Sequence, residues 1–230
     1  KPVLEIMAEI GCPLCIHGEV TDNNIDIFDR EKAFIDSVLN KIRTDNPTLK
    51  VIMEHITTKD AVDYVLSGNE NLAATVTTHH LSLNRNDLLV GGIRPHFYCL
   101  PVVKRETHRL ALVEAVVSGS PKFFLGTDSA PHLDRDKESS CGCAGCFTAT
   151  NSLEILAHIF EEQNALNKLE LFTSINGAKF YGKNINNDKI RIVKKDKPTS
   201  FPEKISTPSG EITVFKPNFK TKWQVQVQFK

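Results

Sequence analysis

The sequence lacks long apolar runs, and it lacks an excess of charge of either sign. Its apolar stretches are short and interrupted, so we expect neither a membrane span nor a secretion signal. The 28 Lys and Arg residues balance 28 Asp and Glu residues, which gives no general attraction to nucleic acid or to a membrane surface. The composition, 40% hydrophobic and 24% charged, is typical of a globular protein with a sizeable core.

Disulfides are also expected to be absent. A cysteine framework of this size is typical of small secreted scaffolds, whereas a 230-residue chain without a secretion signal favours reduced thiols and the cytoplasm. Half of the cysteines crowd into the segment C-G-C-x-x-C at 141–146. A structural zinc site needs four ligands, and this segment supplies three, which disfavours a metal knuckle. The six cysteines are Cys12, Cys15, Cys99, Cys141, Cys143 and Cys146.

Short apolar runs alternate with helical patterns along the chain. Strands that alternate with helices predict βα units and a parallel sheet, and near-continuous apolar runs suit strands buried on both faces. The predicted strand and helix pairs are 13–20 with 29–43, 50–57 with 58–68, 71–80 with 105–119, and 122–131 with 150–164.

Both ends of the chain differ from this alternation. The opening "KPVLEIMAEIG" predicts an amphipathic helix closed by Gly11, and a start inside a helix favours a piece of a longer protein. After about residue 182 the sequence becomes polar and Pro-rich, and "KTKWQVQVQF" alternates as a strand does. We therefore expect a main body at 1–182 and an extension at 183–230 packed on it.

Residues able to bind a metal follow three of the four predicted strands. They are His17 in "CIHGEV", His55 in "MEHIT" and Asp128 in "LGTDSAPH". A single strand histidine is more often a hydrogen-bonded core residue, but three such residues in equivalent places favour a shared site at the carboxyl edge of the sheet. Two histidines and an aspartate are suitable zinc ligands, so the pattern indicates a catalytic zinc site.

Several motifs together resemble the dihydroorotases of pyrimidine biosynthesis. They are "HGEV", "EHITTKDAVDYV", "NRNDLLVGGIRPHFYCLP", "FLGTDSAPH" and "KESSCGCAGCF", in order from residue 1 to about 182, with a weak resumption near Trp223. The resemblance is to the short, stand-alone bacterial type in the amidohydrolase superfamily. It implies a TIM-type (β/α)8 barrel, of which this chain holds about the last four βα units and a C-terminal extension. It also implies a homodimeric, two-zinc cyclic amidohydrolase that interconverts N-carbamoyl-L-aspartate and (S)-dihydroorotate.

The resemblance also assigns roles to individual residues. His17 and His55 match the histidines of the second, more exposed zinc, and Asp128 matches the aspartate that binds the first zinc and shuttles a proton. His132 matches a histidine that meets the substrate carboxylate. Leu100 and Ala144 match positions whose backbones contact the pyrimidine ring.

Parts of the family pattern are missing from this sequence. Three features of the family have no counterpart in this sequence. They are an H-x-H strand followed by a substrate-binding arginine, a carboxylated lysine that bridges the metals, and a substrate-binding asparagine. Four βα units also cannot close an eight-stranded barrel. Three of six implied ligands are present, so we expect this chain by itself to be inactive or very weakly active.

Two other functions fit parts of the pattern. A hydantoinase or dihydropyrimidinase would share the fold, although His132 and "RPHFYCLP" favour a carboxylate-bearing substrate. A non-catalytic scaffold or regulatory subunit would explain the missing ligands, although retention of His17, His55, Asp128 and His132 together argues against decay. Among the other histidines, His79 and His80 at the end of the third strand are candidates to support the site. We expect His96 in the substrate loop, and His108 and His158 as surface or packing residues.

Overall fold

A four-stranded parallel sheet forms the centre of the computed structural model, which describes residues 2–226. The strands are β1 (Leu14–His17), β2 (Val51–Glu54), β3 (Leu72–Val76) and β4 (Phe123–Leu125), in the spatial order β1-β2-β3-β4. Neighbouring strands are parallel, and helices connect them in sequence. The predicted βα alternation and its parallel sheet are confirmed, and β1 and β4 are the edge strands.

The apolar runs become strands because both faces of the inner strands are covered. Every residue of β3 is buried, as are three of the four residues of β2. β1, at an edge, alternates between exposed and partly covered residues. The parallel register pairs His17 with Glu54 and Val76 with Leu125, so the carboxyl ends of the strands lie side by side.

Ten α-helices are assigned within residues 2–226. Thr58 caps α4, because its side chain accepts the Ala61 N–H at 3.1 Å. The predicted helix at 29–43 is observed at 30–45, where a π turn (Ile35–Leu39) joins α2 to α3. The helices are α1 (Pro2–Glu9), α2 (Arg30–Phe34), α3 (Asn40–Asp45), α4 (Lys59–Ser67), α5 (Thr78–Ser82), α6 (Arg85–Leu89), α7 (Glu106–Val117), α8 (Asp134–Lys137), α9 (Ser152–Glu162) and α10 (Asn176–Phe180).

All four predicted strands were too long, and the last two show why. The run at 71–80 forms β3 only to Val76, because Thr77 caps a short helix by accepting the His80 N–H at 3.0 Å. His79 and His80 therefore belong to α5, and their placement at the strand end was wrong. The run at 122–131 forms β4 only to Leu125, and at Asp128 the backbone turns into the left-handed region.

The C-terminal region forms two antiparallel pairs of strands. β5 (Arg191–Lys194) pairs with β8 (Trp223–Gln226), and β6 (Lys204–Thr207) pairs with β7 (Gly210–Thr213). The predicted strand in "KTKWQVQVQF" is thus observed at Trp223–Gln226, and its last residues lie outside the described range. β8 contacts α9, where the Val225 N–H donates to Glu154 Oε1 at 3.1 Å. The division at residue 182 stays a prediction.

No helix within residues 2–226 has both the length and the apolar character needed to cross a membrane.

Candidate active site

The predicted ligands collect at the carboxyl edge of the sheet. His17 is the last residue of β1, His55 follows β2 directly, and Asp128 lies three residues after β4. Because the strands are parallel and in adjacent register, these positions reach the same edge.

The two histidine rings face each other through ring nitrogens. His17 Nδ1 lies 3.3 Å from His55 Nε2, and the rings meet edge to face with centroids 4.9 Å apart. The other nitrogen of His17, Nε2, lies 3.1 Å from Glu19 Oε2. A carboxylate accepts a hydrogen bond, so this contact favours a proton on Nε2 and leaves the Nδ1 lone pair directed toward His55.

The backbone around His55 is unusual and well supported. His55 has a φ of +40°, a region that side-chain-bearing residues adopt at some cost in energy. Its N–H donates to Thr75 Oγ1 at 2.6 Å, and the Thr75 hydroxyl donates to Glu54 Oε2 at 2.6 Å. Burial, with a smaller contribution from His17, lowers the pKa of His55 to about 4. The ring is therefore neutral at pH 7, as a metal ligand must be.

Asp128 shares this left-handed backbone, with a φ of +41°. The turn before it depends on Gly126, because a Cβ there would lie 2.6 Å from the Thr75 Cβ. Burial raises the pKa of the Asp128 carboxyl, and the nearby His17 partly offsets this effect. Two predicted ligands in strained conformations at one edge are typical of a functional site.

The donor set fits a zinc ion. Two nitrogens bound to one tetrahedral zinc at about 2.0–2.1 Å lie roughly 3.3 Å apart, and the His17 and His55 nitrogens are separated by 3.3 Å. His55 is held neutral, and the His17 nitrogen that faces it is left with a free lone pair.

The residues expected at the substrate lie on adjoining loops. His132 Nε2 is 3.1 Å from the Ala144 carbonyl oxygen, so the structure brings these two residues together. Gly145 allows this approach, because a Cβ there would lie 2.6 Å from the Ala130 Cβ and 3.0 Å from His132 Nε2. Leu100 is 39% exposed and lies in the neighbouring loop, which the Gly145 N–H joins by donating to the Tyr98 carbonyl at 2.9 Å.

Lys137 joins the same loops, although no sequence pattern pointed to this residue. Its ammonium donates to the carbonyls of Tyr98 at 2.9 Å, Cys143 at 2.7 Å and Gly145 at 2.8 Å. The residue is 3% exposed, and burial lowers its pKa. In "DRDKESS" it looks like one more surface charge, because the carbonyls that surround it lie six and eight residues further along the chain and, for Tyr98, 39 residues away.

His79, His80 and Cys99 form a buried group whose ligand-type atoms lie within 4.8 Å of one another. Both ring nitrogens of His80 are already hydrogen-bonded, to Thr77 Oγ1 and to the Pro101 carbonyl, each at 2.8 Å. Neither nitrogen is left for a metal. His79 packs between His80 and Phe215. This group therefore fits a structural role better than a metal site.

The remaining histidines and the cysteine segment have ordinary contacts. His96 lies beside Glu138 at 3.0 Å, His108 Nδ1 accepts the Lys59 N–H at 2.9 Å, and His158 stacks on Phe219 at 4.4 Å. All six cysteines are free thiols, and the Sγ atoms of Cys141 and Cys143 are 4.0 Å apart.

Residues 1–193, more than half of the chain, match the family model of the amidohydrolase family. The chain belongs to the amidohydrolase family. Its relatives include the dihydroorotase of Ruegeria sp. (strain TM1040), 63% identical over 225 residues that cover 98% of this chain and 65% of that protein. This amidohydrolase chain thus spans slightly less than two thirds of that relative's length.

Solved structures agree with this assignment. The dihydroorotase of Saccharomyces cerevisiae, in complex with 5-fluoroorotic acid, superposes with a TM-score of 0.86 at 34% identity over 98% of this chain and 66% of its own. The D-hydantoinase of Bacillus sp. AR9 superposes with a TM-score of 0.75 at 16% identity over 97% of this chain and 56% of its own. At that low identity the second likeness shows the fold alone.

Proposed function

We propose that this chain is the part of a zinc-dependent dihydroorotase that carries one side of the active site. The convergence of His17 Nδ1 and His55 Nε2, at 3.3 Å, is the observation that carries the proposal. Asp128 at the same edge and the His132–Ala144 contact beside it supply the expected proton-transfer and substrate-binding groups.

The proposed architecture is a (β/α)8 barrel with about its last four βα units in this chain. β1 and β4 are the edges of the described sheet, and a barrel would continue the sheet from both. The carboxyl edge, where the histidines lie, is the face on which barrel enzymes build their sites. The intact protein is expected to be a cytoplasmic homodimer that serves pyrimidine biosynthesis.

His17 and His55 would hold one zinc, and Asp128 would bind the other. A bridging carboxylated lysine is expected outside this chain. When bound, the metals would polarise the amide carbonyl and make a water nucleophilic near neutral pH. The protein's own residues must then place the substrate and move one proton.

Asp128 is suited to proton transfer during interconversion of N-carbamoyl-L-aspartate and (S)-dihydroorotate. Its half-buried carboxyl, with a raised pKa, takes a proton in ring opening and delivers it to the departing ring nitrogen. His132 would meet the substrate carboxylate with an N–H at Nδ1, since its Nε2 faces the Ala144 carbonyl, and the backbones of Leu100 and Ala144 would contact the ring. The orotate analogue bound by the yeast relative is a pyrimidine carboxylate of this kind.

The experiment is an assay of the full-length protein with dihydroorotate and with hydantoin, together with metal analysis. Turnover of dihydroorotate without turnover of hydantoin, with about two zincs per chain, is expected. Turnover of hydantoin alone would replace the proposal with a hydantoinase. Absence of both turnover and zinc would leave a non-catalytic scaffold.

A further inference from the structure

Three buried charged residues lie beneath the candidate histidines. Glu19 has a side chain 7% exposed, that of Lys104 is 2% exposed, and Glu31 is 1% exposed. Buried charges are costly unless they are paired and hydrogen-bonded, so a group of three needs a reason. We call Glu19, Lys104 and Glu31 the ion cluster.

Glu19 is the link between the ion cluster and His17. One carboxylate oxygen, Oε2, lies 3.1 Å from His17 Nε2. The other, Oε1, lies 3.8 Å from the Lys104 ammonium and has no hydrogen-bond partner among the described residues. Lys104 is itself anchored by donating to the Val102 carbonyl at 2.8 Å.

Glu31 is the link to His55. Its carboxylate accepts the N–H of Thr57 at 2.8 Å and the N–H of Thr58 at 2.8 Å, and both threonine hydroxyls donate to it as well. These threonines follow His55 by two and three residues, where the backbone leaves its left-handed turn. Burial raises the pKa of Glu31, and the charge of Lys104 offsets part of this effect.

We propose that the ion cluster positions His17 and His55 as a prearranged pair of metal ligands. Glu19 sets the His17 tautomer that directs Nδ1 at His55, and Glu31 fixes the segment that follows His55. Lys104 lies 3.8 Å from Glu19 Oε1, and its positive charge also offsets part of the effect of burial on Glu31. The three are positioning residues, because no contact from them to the reacting atoms is described. The inference deepens the proposed function and rests on it for the metal.

The first test does not depend on the metal. Histidine-labelled, metal-free protein is studied by long-range proton–nitrogen NMR, with the His17 signals assigned from a His17→Gln variant. Wild-type His17 should carry its proton on Nε2. In Glu19→Met, which removes the acceptor, the two tautomers should become mixed. An unchanged Nε2-protonated ring in that variant would overturn the role of Glu19.

The second test measures the zinc affinity of the full-length protein by competition with a chelator. Loss of a carboxylate that supports a metal-binding histidine typically weakens binding about 10–100-fold, and we expect this for Glu19→Met. Glu19→Gln keeps an acceptor and the shape of the side chain, so it should fold readily and show a smaller loss. Lys104→Met should weaken zinc binding in the same direction.

The matched control is Glu154→Gln, since Glu154 is also buried but accepts the Val225 N–H far from the histidines. Its zinc affinity and its His17 tautomer should equal those of the wild type. If Glu154→Gln weakened zinc as much as Glu19→Met, the effect would be general loss of stability and the proposal would be wrong. If zinc failed to bind the wild type at all, the proposed metal centre would fail, while the tautomer result would still decide the role of Glu19.

Discussion

His17 Nδ1 lies 3.3 Å from His55 Nε2, although 38 residues separate them in sequence. The parallel pairing of β1 with β2 explains this, because His17 is in register with Glu54, the residue before His55. The side chains then converge because His55 has a left-handed backbone. These two histidines are the proposed ligands of one zinc ion.

We expect the 230-residue chain to bind at most one zinc, and weakly, through His17 and His55. Half of the ligands implied by the resemblance are present, and Asp128 by itself is a poor site for a second ion. Isothermal titration of the metal-free chain measures the number bound. Tight binding of two zincs would contradict the expectation that this chain holds only half of the metal ligands.

In the full-length enzyme, Asp128→Asn should lower kcat by at least about 100-fold while KM changes much less, since the variant loses proton transfer. The thermal midpoint should stay equal or rise slightly, because asparagine tolerates the left-handed backbone at φ +41° well. Steady-state kinetics and thermal unfolding of the same sample check both. A near-normal kcat would show that Asp128 does not carry out the proposed proton transfer.

Lys137→Met in the full-length enzyme should raise KM about tenfold or more and change kcat less. Three carbonyls lose their donor, and the loops that carry Leu100 and Ala144 are no longer held together. Lys122→Met is the control, because Lys122 donates to the Gly68 and Asn69 carbonyls and does not contact these loops. Equal changes of KM in the two variants would argue against a specific role for Lys137.

Gly126→Ala should destabilise the fold by about 1–3 kcal/mol and reduce turnover of the full-length enzyme. The new Cβ would lie 2.6 Å from the Cβ of Thr75, which is part of β3 and cannot move away easily. Gly18→Ala is the control, since its Cβ would make ordinary contact with Met53 at 3.5 Å. Chemical denaturation compares the two variants, and equal stability would show that the turn before Asp128 can relax.

The metal-free protein should lose stability as the pH falls from about 6.5 to about 4, the lowered pKa of His55. In that interval the unfolded chain takes up a proton at His55 and the folded chain does not. The loss of folding free energy is absent above pH 6.5 and reaches about 3 kcal/mol at most at low pH. Denaturation curves of wild type and His55→Gln, in chelator, isolate this contribution. A difference between them that is constant with pH would disprove it.

Much of the fold was predictable because its signals are local. Four apolar runs became four parallel strands in the predicted order. The predicted strand ends were wrong where a helix-capping residue lay inside an apolar run. Thr77 began a helix inside an apolar run, so His79 and His80 left the predicted strand.

The site was predictable in part for a related reason. His17, His55 and Asp128 follow strands, and a parallel sheet must bring strand ends to one edge. Lys137 and Lys104 were not predictable, because a lysine is normally a surface charge. Their burial depends on carbonyls and carboxylates that distant segments supply.

The sequence by itself determined the order of strands and helices and the residue types that collect at the carboxyl edge, since periodicity and strand ends are properties of neighbouring residues. The tertiary structure alone decided the 3.3 Å approach of His17 to His55. It also decided the left-handed turns at His55 and Asp128 and the burial of Glu19, Lys104 and Glu31. Each of these depends on contacts across tens of residues, and such contacts exist only when the sheet has assembled.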